Sequence, residues 1–418
     1  MIVSLPYIKI IIIEDIYTLE DTNSKANFIN RLFLIQIMTE EVSVDILIFG
    51  GGISGLWTLD QLVRAGYNTV LFEKDRLGEG QTVQSQGIIH GGGKYTLSQN
   101  LRLDSARTIS EMPSRWRQSL EGKAFPDLSK ARVLSDSCYL WVSKDLNGLK
   151  KLSSFISKVG VKLINAKPKR TDDAPDFLKQ SSQAIYKLEE PIVDARSVLE
   201  ELAKPYLSRI IYSENFEIEL ENEEVKSVQL DGIKIKPKCS VMVAGVGNED
   251  LAKKIGLEEK LMQKRPLRQI TVHDVPELYG HCIDSCTTDV SITTHYDAAR
   301  RRVWSVGGKI AEDGHLIDPK KLIEITQEKL SKVLRAVDFS NSGFSFFDAV
   351  RAEGTNQGER PGGVIIYAKG NVIMGWPTKL ALAPILADEI HSRIRKVFKP
   401  SYKDFNYGQE IRLADYPW

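Results

Sequence analysis

The apolar run from Val44 to Phe49 stops at a cluster of glycines, and beyond it the apolar positions change their spacing. A near-continuous run of that length suits a parallel strand covered on both faces. After the glycines, Leu56, Leu59, Leu62 and Val63 recur at helical spacing, which predicts a helix from Ser54 to Arg64 closed by Gly66. The segment "NTVLFEK" predicts a second strand ending at Glu73. Farther on, "SCYLWVSKDLNGLKKLSSFISKVGVKLI" reads as strand, helix, strand, with Leu149, Leu152, Phe155 and Ile156 on the apolar face of the helix. "RPLRQITVHDV", "VSITTHYDA" and "RRVWSVGGKIAED" are β-branched and partly alternating, and they predict strands of one antiparallel sheet. "PKKLIEITQEKLSKVLRAV" predicts an amphipathic helix over the outer face of that sheet, which leaves the inner face for a ligand.

Composition changes this picture little. The 418 residues, 42% hydrophobic and 27% charged, suit a globular chain of two or three domains. A net charge of +1 without a basic stripe gives nucleic acid no electrostatic footing. No apolar run approaches the ~20 residues of a spanning helix. "IKIIIIEDI" is short and ends at Glu14 and Asp15. Residues 1–41 read as an N-terminal extension whose first 37 residues carry no recognisable element, and Met38 is a candidate translation start. Cys138, Cys239, Cys282 and Cys286 are too few for a disulfide framework and point to a reducing, cytoplasmic setting. "HCIDSC" lacks the second ligand pair that zinc wants, so these thiols read as buried and no metal is expected.

Chemistry enters with the glycines. Gly50, Gly52 and Gly55 satisfy G-x-G-x-x-G between the predicted strand and helix. The first permits a tight turn, the second lets a pyrophosphate approach the backbone, and the third lets the helix pack on the strand. Ile53 and Ser54 open that helix toward the phosphates. Glu73, followed by Lys74, can accept both ribose hydroxyls of an adenosine. Strand, turn, helix, strand and terminal carboxylate in this order predict dinucleotide binding.

Past Glu73 the chain enters "DRLGEGQTVQSQGIIHGGGKY" rather than another βα unit. Here the sequence resembles the D-amino acid oxidase and glycerol-3-phosphate dehydrogenase superfamily of FAD enzymes. Thr82, Gln86, Gly87, Ile89, His90 and Gly91 match its Q-T and S-G-x-I-H-x-G elements, and Lys94-Tyr95 resembles the R-Y of the glycerol-phosphate branch. The resemblance implies FAD as cofactor. This loop would run along the pyrophosphate and under the isoalloxazine ring, with His90 beside the flavin and glycines where a side chain would fill the space of the ring. The stretch from "PIVDARSVLEELAKPYL" to "MVAGVGNEDLAKKIGL" resembles the middle section of the family. By that match Ala244 and Gly245 lie in its glycine signature, and Phe216 sits where the backbone meets the adenine. "GNVIMGWPTKLALAPILADEI" resembles the last strand, turn and helix, which implies flavin contacts for Gly375, Trp376, Thr378, Lys379 and Leu380. "DAVRAEGTNQGERPGG" and "GWPTKL" stand where the amine-oxidising branches carry other motifs.

The implied fold is α/β, with a Rossmann-like FAD-binding domain drawn from residues 42–112, 190–262 and 348–398. A second, α+β cap domain on an antiparallel sheet comes from 113–189 and 263–347, and 399–418 form a C-terminal tail. The implied function is an FAD-dependent oxidoreductase. It would take hydride to flavin N5 from a C–H beside a hydroxyl or amine of a small anionic metabolite, such as a 2-hydroxy acid, glycerol phosphate or amino acid. The electron acceptor is left open between oxygen, a quinone and a carrier. His90 is the candidate base, or else simply a flavin neighbour. Arg351 is a candidate fork for a substrate carboxylate or phosphate, or else an ion-pair partner of Glu353 or Asp348. Lys379 stands near the flavin C2=O or in solvent, and Arg268, Gln269 and His295 lie on cap strands. Two other classes compete: an FAD-binding partner that turns nothing over, and an NAD(P)H-using hydroxylase, for which no second glycine fingerprint shows.

Overall fold

The strand Glu40–Phe49 lies inside a largely parallel sheet, in a computed structural model of the chain. The structure describes residues 2–5, 8–11, 36–38, 40–91, 109–144, 169–257, 260–283, 288–355, 362–407 and 409–418. The expected helix around Leu149–Ile156, together with Gly92, Gly93, Lys94, Tyr95 and Cys286, falls outside them. On one side of the Glu40–Phe49 strand run Thr69–Glu73 and then Ile210–Tyr212; on the other runs Ile233–Met242. The last of these changes partner along its length. Its start pairs antiparallel with Glu224–Leu230, and its end pairs parallel with Val372–Trp376. The carboxyl ends of these parallel strands form one edge, where open α/β sheets take their ligands.

Burial on both faces explains the apolar run. Ile46 and Ile48 pack with Leu56, Leu59 and Leu62 of the helix Ile53–Arg64, whereas Leu47 and Phe49 pack with Phe72, Met242 and Trp376. Asp45 interrupts the run and is buried, but its carboxylate accepts hydrogen bonds from the Asn68 amide at 3.0 Å and the Ser401 hydroxyl at 2.6 Å. Burial raises its pKa, yet Lys238 at 2.7 Å and these donors outweigh burial and hold it below the ordinary carboxylate value.

Among the described residues the second sheet has eight strands, in the order Phe344–Gly354, Met262–His273, Arg302–Gly307, Thr288–Tyr296, Gly280–Ile283, Cys138–Ser143, Ser182–Leu188 and Lys169–Arg170. The three strands expected from "RPLRQITVHDV", "VSITTHYDA" and "RRVWSVGG" are antiparallel here. The sheet as a whole is mixed, because Gly280–Ile283 runs parallel to Cys138–Ser143. Alternation sorts its faces. Ile270, Val272, Val290, Ile292, Trp304 and Val306 pack against Leu322, Leu330 and Val333 of the helix Pro319–Val333. The opposite face presents Gln269, Thr271, Ser291, Thr293, His295 and Ser305, all buried although polar. A polar face is buried only where hydrogen-bonding partners cover it.

Three boundaries differ from the sequence reading. Phe344–Gly354 pairs along its whole length with Met262–His273, so residues 348–354 continue the cap sheet. The first strand begins at Glu40, because its solvent-exposed start still pairs with Ile233 and Lys234. Upstream, Ile2–Leu5, Ile8–Ile11 and Gln36–Met38 form a small antiparallel sheet, where the sequence offered no recognisable element. Among the described residues no helix is long and apolar enough to cross a membrane.

Candidate functional site

Gly50 turns the chain at φ 108°, a region that disfavours side chains, and a Cβ there would lie 2.6 Å from Ala244 Cα. The fingerprint turn therefore packs directly on the backbone of the Ala244–Gly245 segment. A Cβ on Gly55 would meet the Gly50 carbonyl oxygen at 1.8 Å, so the third glycine lets the helix start against the turn. Gly52 differs: its Cβ would meet Thr82 Oγ1 at 3.2 Å, its φ is an ordinary −75°, and the space above it is otherwise open. Thr82 Oγ1 accepts the Ile53 amide at 3.2 Å. The amides of Ser54 and Gly55 have no acceptor within their own helix, which makes this helix start an anion site.

Glu73 closes the nucleotide end. Its carboxylate accepts the amides of Gly51 at 2.5 Å and Lys74 at 2.7 Å. Burial pushes its pKa up while these amides pull it down. Phe216, at the start of its strand, packs edge-on to Phe72 at 5.1 Å with Lys254 Nζ 5.0 Å over its ring. Two organising residues were missed in the sequence. Asn248, fully buried, receives the Ala244 amide at 2.8 Å and donates to the carbonyls of Met242 and Gly375. Gln81 receives the Ala352 amide at 2.9 Å, joining the loop to a cap strand.

The segment Gln86–Gly91 is clamped between the cap sheet and the strand Ile192–Val193, which pairs with Val133–Ser135. Gln86 Nε2 donates to the carbonyls of Ser291 at 3.0 Å and Ser305 at 2.8 Å, and a Cβ on Gly307 would strike Gln86 Oε1 at 2.8 Å. Gly87, at φ 70°, lies so close to Val193 that a Cβ would meet its carbonyl oxygen at 2.1 Å. Ile89 is buried and donates its amide to Pro191. These contacts deliver His90 to a buried carboxylate. His90 Nδ1 lies 3.2 Å from Glu190 Oε2, and the Gly91 amide donates to Glu190 Oε1 at 2.7 Å. The His90 ring stacks on His281 at 5.6 Å, and His281 Nδ1 meets Ser291 Oγ at 2.9 Å. Glu190, 3% exposed, was missed, and His281, 1% exposed, was weighed only as part of "HCIDSC". Their neighbours in sequence give little signal beyond an acidic pair before "PIVD". Three ligand-type groups thus lie within 4.8 Å of one another.

Gly375 fits against Leu386, where a Cβ would meet Cδ1 at 2.8 Å. Trp376 is buried in the core; Lys379 is the extended residue before the turn Leu380–Leu382 and the helix Ala383–Ile394. Thr378 Oγ1 is buried with no hydrogen-bond partner among the described residues. A flavin pyrimidine edge, with its carbonyls and N–H, supplies what such a hydroxyl needs, and the open space over Gly52 suits a pyrophosphate. The donor set fits FAD.

Arg351 is engaged elsewhere: Nη1 donates to Glu312 Oε1 at 2.8 Å. Neither sequence neighbour is its partner, because Glu353 is held by Arg265 and Asp348 by Arg268. Gln269 donates to Ser305 Oγ on the polar face. His295 on that face is buried, with Nε2 2.9 Å from Thr293 Oγ1 and the Trp418 ring centroid at 4.5 Å. Burial pushes its pKa down to about 4. The unfolded chain therefore binds a proton near pH 6.5 that the folded protein refuses until about pH 4. His295 contributes fully above pH ~6.5, and ~3 kcal/mol of stability is lost as the pH falls through that window. Thermal melts from pH 7 to 4 are expected to fall less steeply for His295→Gln than for the native chain; identical slopes would contradict this.

A cavity of about 520 Å³ lies beside Glu190, between Leu188–Glu190 and residues 110–118. It is lined by acidic Glu111 and Glu189 and basic Arg115 and Arg117, so its charge is mixed. Arg115 is paired with Asp388 of the last helix, and Arg117 donates to the Asp136 carbonyl. Cys138, Cys239 and Cys282 are buried.

The family described as FAD dependent oxidoreductase (DAO) matches residues 45–366. A probable FAD-dependent oxidoreductase of Pseudomonas aeruginosa is 36% identical over 366 residues, which span 86% of this chain and 93% of that one. The crystal structure of an FAD-dependent oxidoreductase from the same organism superposes with a TM-score of 0.77 at 32% identity, covering 91% of this chain and 99% of the other. Glycine oxidase from Geobacillus kaustophilus shares the fold at 13% identity, with a TM-score of 0.58 over 87% of this chain and 96% of that one.

Proposed function

The chain belongs to the FAD-dependent oxidoreductase family, and from that premise we propose that it oxidises a C–H bond next to a hydroxyl or amine of a small polar metabolite, with His90 as the base. FAD, when bound, supplies the two-electron acceptor at flavin N5. Gly50, Gly52, Ile53, Ser54, Gly55 and Thr82 hold the pyrophosphate, Glu73 the ribose, and Ala244 and Gly245 flank the same turn. Gly375, Thr378, Lys379 and Leu380 meet the pyrimidine edge, where the start of the last helix favours negative charge. Gln86 fixes the His90 loop against the cap sheet and Gly87 fixes it against Val193, and both help exclude water.

The observation that carries this reading is the His90–Glu190 contact beside Gly91. It sits on the loop that joins the nucleotide turn to the polar face of the cap sheet. A merely FAD-binding partner needs no imidazole held this way. Neutral imidazole accepts a proton near physiological pH, and a base has to stand at the O–H or N–H whose proton leaves as the hydride departs. Acid precipitation of the purified protein is expected to release FAD. Anaerobic mixing with sn-glycerol 3-phosphate, 2-hydroxy acids, glycine, sarcosine and D- and L-amino acids is expected to bleach the flavin with one class of donor. Bleaching by NADH alone, with every such donor inert, would replace this reading with the hydroxylase.

A further inference from the structure

We propose that Glu190 is a positioning residue that fixes the tautomer of His90, holding the proton on Nδ1 so that Nε2 is the basic nitrogen. The proposal rests on the reading of His90 as the base. Glu190 is 3% exposed, and an ionised carboxylate buried to that extent must be met by donors. Its Oε1 is taken by the Gly91 amide at 2.7 Å. Its Oε2 lies 3.2 Å from His90 Nδ1. A carboxylate offers acceptors only, so the neutral ring satisfies it by carrying hydrogen on Nδ1, and Nε2 is then the acceptor. The Gly91 bond matters as much, because it ties the carboxylate to the residue after His90 and sets the direction from which Oε2 reaches the ring. His281 stacks on the imidazole and restrains its tilt.

The consequence for the proton is definite. The O–H or N–H bond of the donor breaks, its proton forms Nε2–H, and the electron pair left behind becomes the second bond of the C=O or C=N product as the C–H pair passes to FAD. Glu190 is not protonated in this step. It faces the imidazolium that results and offsets its charge. Among the described residues, the titratable groups against this pair include His281, stacked on His90, and Cys138, whose Sγ lies 3.9 Å from Glu190 Oε2. Glu111, Glu189, Arg115 and Arg117 line the neighbouring cavity.

Glu190→Gln separates position from charge. The amide oxygen keeps the Gly91 N–H, and the amide nitrogen then faces His90 Nδ1 as a donor. Nδ1 has to become an acceptor, and the ring proton moves to Nε2. In holoprotein labelled with ¹⁵N-histidine, His90 is expected as the Nδ1–H tautomer in the native chain and as Nε2–H in Glu190→Gln, with FAD content unchanged. Anaerobic flavin reduction by the best donor of the panel should slow ~10²–10⁴-fold in Glu190→Gln, and the acid limb of its pH profile should disappear. Glu190→Asp, which keeps the acceptor, should restore the native tautomer. An Nε2–H tautomer in the native holoprotein overturns the proposal even if Glu190→Gln fails to fold. So does a native rate and pH profile in Glu190→Gln while His90→Ala is slow, an outcome that leaves His90 as base. A native rate in His90→Ala overturns the reading of the base itself.

Discussion

Gly52→Val is expected to give a folded, colourless protein. Valine at this position meets little in the protein itself: the backbone stands at φ −75°, and the added Cβ touches only Thr82 Oγ1, at 3.2 Å. Its branches would stand in the space above the turn, where the pyrophosphate has to reach the amides of Ser54 and Gly55. FAD content should drop to background while far-ultraviolet circular dichroism stays native. Melting should resemble that of the protein stripped of FAD, lower than the holoprotein by the linkage contribution of the ligand. Gly55→Val is the useful contrast. There the Cβ would strike the Gly50 carbonyl oxygen at 1.8 Å, so loss of fold and loss of FAD should come together. A yellow Gly52→Val protein carrying stoichiometric FAD would show that the pyrophosphate does not pass over this turn.

His90→Ala is expected to keep FAD and lose chemistry. The imidazole makes a side-chain contact with Glu190 and a ring contact with His281, whereas the loop's backbone is held by Gly87, Ile89 and Gly91 through their own main-chain bonds. Removing the ring therefore leaves the loop anchored. Flavin reduction under anaerobic conditions should slow ~10²–10⁴-fold, the range of a lost general base. Exposed imidazole added to the solution should recover part of the rate. Reduction at the native rate would make His90 a neighbour of the flavin and nothing more.

The fingerprint could be read in the sequence because every residue in it answers a local demand. Gly50, Gly52 and Gly55 each serve a turn, a close approach or a helix start within a few residues of themselves, and Glu73 ends the next strand. The cap strands were legible for the same reason, since alternation is a local signal. Glu190 was not legible: it meets His90 across a sequence separation of 100 residues, and a buried glutamate has no spacing to give it away. Asn248 is similar, reaching the Gly375 carbonyl across 127 residues. Arg351 shows the opposite failing. Its neighbours Asp348 and Glu353 looked like natural partners, but on a strand the arginines of the adjacent strand claim them, and Glu312 arrives from a separate short helix.

The strand Ile233–Met242, which exchanges an antiparallel partner for a parallel one halfway along, sets a timetable for synthesis. Its second partner, Val372–Trp376, leaves the ribosome only after the whole of the cap's Met262–Gly354 portion has been made. Until then Met242 and its neighbours present an unpaired apolar edge, and the Asn248 clamp lacks the Gly375 carbonyl. Contacts of such long range are slow to close. A nascent chain has to keep that edge from pairing with another molecule, and the cap has time to fold first. The nucleotide crevice, whose fingerprint is made early, is therefore completed late, and FAD meets a finished site only near the end of translation.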